Sequence, residues 1–466
     1  MTTNKIKAPR QTKKAPVVKN QELIGEVIDI TFQGLGVIKV DNYPIFVADA
    51  LPGEEIKIGV TRVLQNYAFG RTIERLKTSP DRVDVAHGQL ITSGIAPLVN
   101  LKYDAQLELK RNQIVQLFKK VGLDVDVDPT IGMETPSKYR NKTVVPVKFQ
   151  DGHLTTGFYR RGSHNLVPID DYYLNDPKID AAIGTVRDIL DAHGTTVWDD
   201  ATKKGEIRYI MVRRGYYSHE MMVGLITATR ELHDEAAIVA DIVAALPELK
   251  SLILNYNPRQ TNVLLGSENR VLFGQSTIQD TILANKFNIG LNSFYQVNPQ
   301  TTEVLYSLAA KKAGLKPTDT VIDAYSGIGT IGLTVANQVK KVIGVEVVEP
   351  AVADAKVNMA LNNVKNAEFI ANDAPAQMRE WQAEGLKPEV VFVDPPRKGL
   401  TPELIEAVAG MAPETFVYIS CNPATLARDA VQILEQGFEI DGAITPLDQF
   451  PQTTHVESVT VFKRKA

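Results

Sequence analysis

From about residue 290 to the end, short apolar runs alternate with amphipathic stretches, and that alternation leaves few folds open. TVIDAY, KKVIGVEV, EVVFVD, TFVYIS and SVTVF are short, apolar and rich in β-branched residues, so they read as buried strands. Helical periodicity is legible between and beside them at 300–313, 349–362, 402–410 and 423–436. Such a pattern specifies an α/β domain, a doubly wound and mostly parallel sheet with helices on both faces. Sheets of this kind bind ligands beyond the carboxyl ends of their strands, so those ends are where chemistry is expected.

At 466 residues the chain is too long for one ordinary domain. Between 21 and 76, ELIGEVIDI, GLGVIKVDNYPIFVA, EEIKIGVTRVL and YAFGRTIERL alternate apolar with polar residues, broken at Gly and Pro-Gly. About five strands in so short a stretch predict a small antiparallel barrel, OB-like in size. Lys39, Tyr43, Arg62, Tyr67 and Arg71 are expected on its outer face, facing nucleic acid or plain solvent. Ahead of it, residues 1–20 carry Lys5, Lys7, Arg10, Lys13, Lys14 and Lys19 with no acid. That tail is expected to be disordered, holding RNA backbone or aiding solubility.

After Ser79-Pro80, residues 101–122 have helical spacing and close on Gly122. From 138 to 275 strands such as HLTTGFYRR and IRYIMVRRG mix with a helix near 232–247, a central α+β domain. The expected divisions are a tail at 1–20, a barrel at 21–79, a central domain at 80–285 and the α/β domain at 286–466. Within 138–164, Lys138, Arg140, Lys142, Lys148, Arg160 and Arg161 interleave with Tyr139, Phe149, Phe158 and Tyr159, against Asp151 alone. Cations among aromatics can hold phosphates and stack on unpaired bases; a strand pair with a basic outer face would read the same.

Asp323-Ala324-Tyr325-Ser326-Gly327-Ile328-Gly329-Thr330 follows the first strand of the α/β domain, and Gly332 completes G-x-G-x-x-G. Nucleotide and adenosylmethionine sites share that loop geometry, so the match alone names neither. Glu346, at the end of the next strand, can accept from ribose hydroxyls, and Asp373 in FIANDA can reach an adenine edge. Three acids at successive strand ends point to a bound adenosine.

Two further motifs stand at neighbouring strand ends, Asp394-Pro395-Pro396-Arg397 and Ser420-Cys421-Asn422-Pro423. Cys421 is the one cysteine of the chain, which excludes an intramolecular disulfide, a Cys-based zinc site and a Cys-ligated cluster. A structural cysteine belongs inside a strand; this one leaves a strand and precedes a helix, whose N-terminus favours a thiolate. It is the candidate nucleophile, with Arg397 expected nearby.

FYQVNP (294–299), DAYSGIGTIGL (323–333), GVEVVEPAVADAKVN (344–358), DPPRKGL (394–400), ISCNPATLARD (419–429) and HVESV (455–459) together resemble the bacterial RNA uracil-5-methyltransferase family. The barrel is similar to the TRAM domain of its ribosomal-RNA members. LKYDAQLELKRNQI and YRNK…GFYRRGSHNLV are similar to the family's linker helix and central domain. The resemblance implies a Rossmann-like methyltransferase domain that takes S-adenosyl-L-methionine. Its contacts would be Gln296, Tyr325, Gly327, Gly329, Glu346, Asp373 and Asp394; Cys421 would be the nucleophile and Glu457 the base. Arg140, Lys142, Arg160 and Arg397 are candidate RNA contacts. Uracil C5 accepts a methyl group once a thiolate has added at C6, and a carboxylate must then remove the C5 proton.

Many family members hold an iron–sulfur cluster on four cysteines; here DVAHGQLITSGIAPLVNLKYDAQ and IDDYYL have none. The resemblance is to the clusterless members of Gram-positive bacteria, some of which modify more than one ribosomal position. The TRAM-like barrel favours 23S ribosomal RNA over tRNA. A monomer would suffice, and with no apolar leader or run of about 18 apolar residues a cytoplasmic location is expected. Three other readings stay open: an RNA adenine or guanine amino-methyltransferase, which needs no thiol, a nucleotide-dependent oxidoreductase, and a non-catalytic RNA-binding factor.

Overall fold

A computed structural model of the chain describes residues 15–85, 88–259 and 263–465. Of the basic tail only Lys19 lies among them; the other five cations fall outside the described residues. The chain forms two compact units, Met1–Gln106 with Gln452–Thr454, and Leu107–Pro451 with His455–Ala466.

In the first unit, β1 (Glu22–Glu26), β2 (Asp29–Ile30), β3 (Gly36–Val40), β4 (Tyr43–Val47), β5 (Glu55–Val63) and β6 (Ala68–Lys77) make one sheet in the order β1-β5-β6-β4-β3-β2. The sheet curls round Val27, Ile38, Ile45, Val47, Ile56, Ile58 and Val60; its pairs are antiparallel, as the alternation predicts, except β4 with β6, which runs parallel. Lys39, Arg62, Tyr67 and Arg71 are exposed as expected. Tyr43 is not: it is buried, and its hydroxyl donates to the Leu64 carbonyl at 2.6 Å. The hydroxyl of an inward tyrosine needs an acceptor, and a turn carbonyl supplies it.

The unit runs on past Ser79. Arg82 donates to the fully buried Glu54 through Nε (2.6 Å) and Nη2 (2.9 Å), and to Asp49 through Nη1 (2.8 Å). A carboxylate buried this fully is tolerable only with such a partner. A short helix α1 (Gly88–Ser93) follows, then α2 (Tyr103–Lys120), the linker helix of the sequence reading.

In the second unit, β7 (Lys142–Gln150), β8 (His153–Tyr159), β9 (Leu166–Pro168), α3 (Pro177–Ala192), β10 (Ile207–Arg214), β11 (Met221–Thr227), α4 (Glu235–Ala245), β12 (Leu249–Tyr256) and β13 (Glu268–Gly274) form the central α+β region. Its sheet runs β13-β12-β11-β10-β7-β8-β9. A hairpin, β14 (Thr277–Ile282) and β15 (Asn285–Gly290), leads into the α/β region.

There α5 (Pro299–Ala313), β16 (Thr320–Ala324), α6 (Thr330–Val335), β17 (Lys341–Glu346), α7 (Glu349–Leu361), β18 (Ala367–Ala371), α8 (Ala374–Ala383), β19 (Val390–Val393), α9 (Pro402–Met411), β20 (Thr415–Ser420), α10 (Pro423–Glu435), β21 (Phe438–Ile440), β22 (Thr445–Leu447) and β23 (Glu457–Arg464) follow in order. The sheet is β18-β17-β16-β19-β20-β23-β21, parallel through β20, with β23 antiparallel to β20. Successive residues of one strand feed opposite cores: Val321, Val390 and Phe392 one, Ile322, Val391 and Val393 the other. A strand covered on both faces has no polar side, hence the unbroken apolar runs in the sequence. Helix starts are sharp because Asn298-Pro299, Thr401-Pro402 and Asn422-Pro423 each pair a capping side chain with a proline in the first turn.

Candidate active site

The carboxyl ends of β18, β17, β16, β19 and β20 lie side by side, so the loops that follow share one rim. Glu346, closing β17, accepts from the N–H of Gly327 (3.1 Å) and of Val348 (2.9 Å), fixing two loops of that rim. Asp323 is buried within β16, and its Oδ2 accepts the Gly332 N–H at 2.8 Å. A Cβ at position 332 would stand 2.9 Å from that oxygen, so only glycine lets the helix pack so close. Tyr325 occupies the left-handed turn at φ 65° and is partly buried; Gly329 caps the start of α6. Gln296 is buried in the loop from β15 to α5, and its carbonyl accepts from Asn141 Nδ2 at 3.0 Å. Asp373 is exposed, and one of its oxygens accepts the Ala376 N–H (3.3 Å) to cap α8. The acid expected at an adenine edge therefore also starts a helix.

The register of β20 against β23 assembles the reactive face. Ile419 opposes Val459 and Ser420 opposes Ser458, so the next residues along, Cys421 just past β20 and Glu457 at the start of β23, come to the same end of the pair, and the Glu457 charge bears on the thiol. Asp394 is the first residue after β19, the strand next to β20. Burial pushes the Asp394 carboxyl up to about 7, and Asp323 also to about 7 with Asp394 and Glu346 adding repulsion. Glu457, fully enclosed and repelled by Asp394, is held well above the carboxylate range, with only Arg397 opposing.

Cys421 departs from the sequence expectation. Its thiol is pushed up to about 12, first by burial and then by the charges of Glu457 and Asp394, with Arg397 pulling the other way. The placement ahead of a helix is as expected, but two acids and loss of solvent outweigh a helix terminus, whose effect is limited to about 2 kcal/mol. The resting side chain is a thiol, not a thiolate.

Arg397 is exposed, and its loop is tied to the loop that carries Cys421. Asn422 Nδ2 donates to the Arg397 carbonyl at 2.8 Å, and Arg428 Nη2 donates to the carbonyls of Lys398 (2.9 Å) and Leu400 (3.2 Å). The fully buried Asp429 accepts from the Leu400 N–H, the Tyr418 hydroxyl and Arg428 Nε, each at 2.8 Å. Gly399, at φ 75°, lies against this knot: a Cβ there would sit 2.5 Å from Asp429 Oδ2.

Arg428 and Asp429 close the ISCNPATLARD stretch, and their part in this knot is not evident from the sequence alone. The signal was an acid on the apolar face of α10 beside Leu426, Ala430 and Ile433. Lys110 is a similar case. It continues the buried stripe of Ile114 and Phe118 on α2 and pairs with Asp448, both fully buried. The loop behind Asp448 is held by Asn298, whose Nδ2 donates to the Gln449 carbonyl at 3.0 Å, and that loop leads to His455 and Glu457. The His455 imidazole is pushed down to about 4 by burial and by Arg397, Lys110 and Arg140, so it is neutral.

The candidate RNA contacts do not gather in one place. Arg140 and Lys142 stand at the start of β7 beside the Gln296 loop, whereas Arg160 is exposed in the turn after β8. Two of the aromatics expected to stack on bases do other work. Tyr139 is buried and donates to the Pro451 carbonyl (3.1 Å), and Phe158 packs edge-on against Tyr172. Phe149 remains 63% exposed.

A family model for tRNA (uracil-5-)-methyltransferase matches residues 102–465, and one for the TRAM domain matches 17–73. This chain belongs to the tRNA (uracil-5-)-methyltransferase family. A protein of Lactiplantibacillus plantarum named as an RNA methyltransferase is 51% identical over 97% of this chain and 99% of its own length. One from Enterococcus faecalis, named likewise, is 47% identical over the same shares. Among solved structures, the tRNA (uracil-54, C5)-methyltransferase of Pyrococcus abyssi in complex with S-adenosyl-L-homocysteine is similar at a TM-score of 0.75. It is 27% identical, and the match covers 94% of this chain and 100% of that one. Family membership makes the chain an adenosylmethionine-dependent RNA methyltransferase with a TRAM domain and a Rossmann-like domain, and RNA its partner. Among the described residues no helix is long and apolar enough to cross a membrane.

The rim fits that cofactor. Ser326 Oγ and Asp323 Oδ1 are buried there without a hydrogen-bond partner, and the exposed Val347 and Val348 beside Glu346 offer apolar surface to a flat base. A sulfonium near Asp394 would balance a carboxyl group that the free protein holds at about 7.

Proposed function

We propose that this family member methylates C5 of uridine in 23S ribosomal RNA through a covalent adduct between Cys421 and C6. The observation that supports the reading is that the one cysteine follows directly on β20, opposite the start of β23, where the charges of Glu457 and Asp394 both bear on its thiol. Gln296, Tyr325, Gly327, Gly329, Glu346 and Asp394 would hold adenosylmethionine, with Asp373 at its outer edge. When bound, the cofactor supplies an electrophilic methyl group and a positive charge.

The part-exposed Cys421 thiol gives its proton to solvent and its sulfur adds to C6; the C5–C6 π electrons move onto C5 and the C4 oxygen as an enolate. C5 then takes the methyl group. Glu457, as carboxylate, removes the hydrogen left on C5; those electrons restore the C5–C6 double bond and the C6–S bond breaks. The proton now on Glu457 stands opposite the departing sulfur and can return to it. A cluster of raised acids suits this sequence, because a raised carboxyl is a strong base once ionised. Arg397 is the cation placed to steady the negative charge on sulfur.

The target base must leave its stack to expose C6, at a cost of about a few kcal/mol unless it already lies in a loop. The test is nucleoside mass spectrometry of unmodified 23S transcript treated with the enzyme and labelled adenosylmethionine. Label in 5-methyluridine with wild type and none with Cys421→Ala supports the reading. Label in a methylated adenine or guanine, retained by Cys421→Ala, replaces it with the amino-methyltransferase reading.

A further inference from the structure

The charges of Arg140 and Arg213 both bear on Lys142, and no carboxylate is among the groups that act on it. Lys142 opposes Arg213 directly in the antiparallel β7–β10 pair, and Arg140 lies two residues earlier on the chain. Directly opposed side chains share a face of the sheet. Arg213 is fully buried, and its guanidinium is taken up by the carbonyls of Gly290 (2.8 Å) and Ser293 (2.9 Å). The nearby acids serve the next residue, on the opposite face: Arg214 binds Asp176 at 2.8 Å and Glu248 at 2.7 Å. Among the described residues neither Arg140 nor Lys142 forms an ion pair. The strain is visible in Lys142, whose ammonium is pushed down to about 7 by burial and then by Arg213 and Arg140.

This cluster borders the site. Asn141, between the two cations, donates its N–H to the Val297 carbonyl (2.9 Å) and its amide to that of Gln296 (3.0 Å). From there positive charge continues toward the nucleophile. His455 feels both Arg140 and Arg397, and Arg397 in turn acts on Cys421 and Glu457. Uncompensated cations in a half-buried place lower stability, and an incoming anion relieves them.

We infer that Arg140 and Lys142, backed by the buried Arg213, form a subsite for a backbone phosphate of the RNA next to the target nucleotide. The inference rests on the proposed reading for which nucleotide is the target; the cation cluster itself does not depend on it. Arginine grips a phosphate with a fork, lysine as a point charge, and together they hold one anion from two sides.

The experiment compares full-length wild type, Lys142→Met and Arg140→Gln in three measurements: binding of unmodified 23S transcript across a salt series, adenosylmethionine affinity by calorimetry, and thermal melting. Each variant should flatten the slope of log K against log salt by about 0.7 to 0.9, the effect of one phosphate contact. Adenosylmethionine affinity should be unchanged. Lys142→Met should melt higher than wild type, since it removes a repelled charge. An unchanged salt slope overturns the inference. So does a loss confined to adenosylmethionine, which would assign the cations to the cofactor's carboxylate. Arg140→Gln keeps the test alive should Lys142→Met fold poorly. If the slopes shift but no methyl appears at uridine C5, the proposed reading fails while the phosphate subsite stands.

Discussion

Because Cys421 is the one thiol of the chain, its ionisation can be read by alkylation with no background from other cysteines. The structure holds it at about 12. At pH 8 such a thiol is ionised in roughly one molecule in 10⁴, against about a quarter for an ordinary cysteine near 8.5. A more basic thiolate is intrinsically more reactive, by roughly fortyfold over this interval. Iodoacetamide should therefore label the free enzyme roughly fiftyfold more slowly than the same protein in denaturant. The logarithm of the rate should climb by about one per pH unit from 7 to 10 without levelling. Glu457→Gln removes the largest repelling charge and should speed labelling across that range. Levelling at or below pH 8.5, or labelling as fast as in denaturant, would refute the electrostatic account of the resting site.

Three further outcomes follow from the geometry. Adenosylmethionine affinity should weaken by about tenfold per pH unit below 7, where Asp394 must give up a proton to meet a cation, and level above it. S-adenosylhomocysteine, lacking the charge, should show a flatter calorimetric profile, and equal slopes would contradict the role of Asp394. Asp429→Ala strands the buried Leu400 N–H and Tyr418 hydroxyl and should cost about 3 kcal/mol in urea unfolding, at 1–3 kcal/mol per orphaned group. A loss under about 1 kcal/mol would mean that the knot is not tight. Arg82→Ala removes two charged hydrogen bonds from the buried Glu54 and leaves it Arg75 alone as a cation, so it should destabilise the TRAM domain by about 2–3 kcal/mol, read by hydrogen exchange of β5 and β6.

Much of the α/β region was legible nearly to the residue because α5, α9 and α10 open on Asn-Pro or Thr-Pro and the central strands β16, β19 and β20 are apolar on both faces. The same strand ends displayed Asp323, Glu346, Asp394 and Cys421 in order, since a parallel sheet aligns its carboxyl ends whatever its loops do. Glu457 came from the family resemblance; that it starts the strand paired with β20, just ahead of Cys421, depends on an antiparallel register that no local pattern reveals. The thiol's ionisation was misjudged because a helix terminus is visible in sequence, whereas burial and two converging acids are not. Tyr43 and Tyr139 were placed outward by their polar ends, and both turned inward to hand a hydroxyl to a carbonyl. Lys110 and Asp429 hid in plain view: a charge on an apolar stripe is a buried partner in waiting.

The covalent adduct is tested most directly by mass spectrometry of the enzyme after incubation with 5-fluorouridine-substituted ribosomal RNA and adenosylmethionine. Fluorine cannot leave C5 as a proton does, so the intermediate should stay frozen. The expected product is a peptide in which Cys421 carries the RNA nucleotide with one added methyl group. No such adduct, from an enzyme that still methylates unsubstituted RNA, would contradict it.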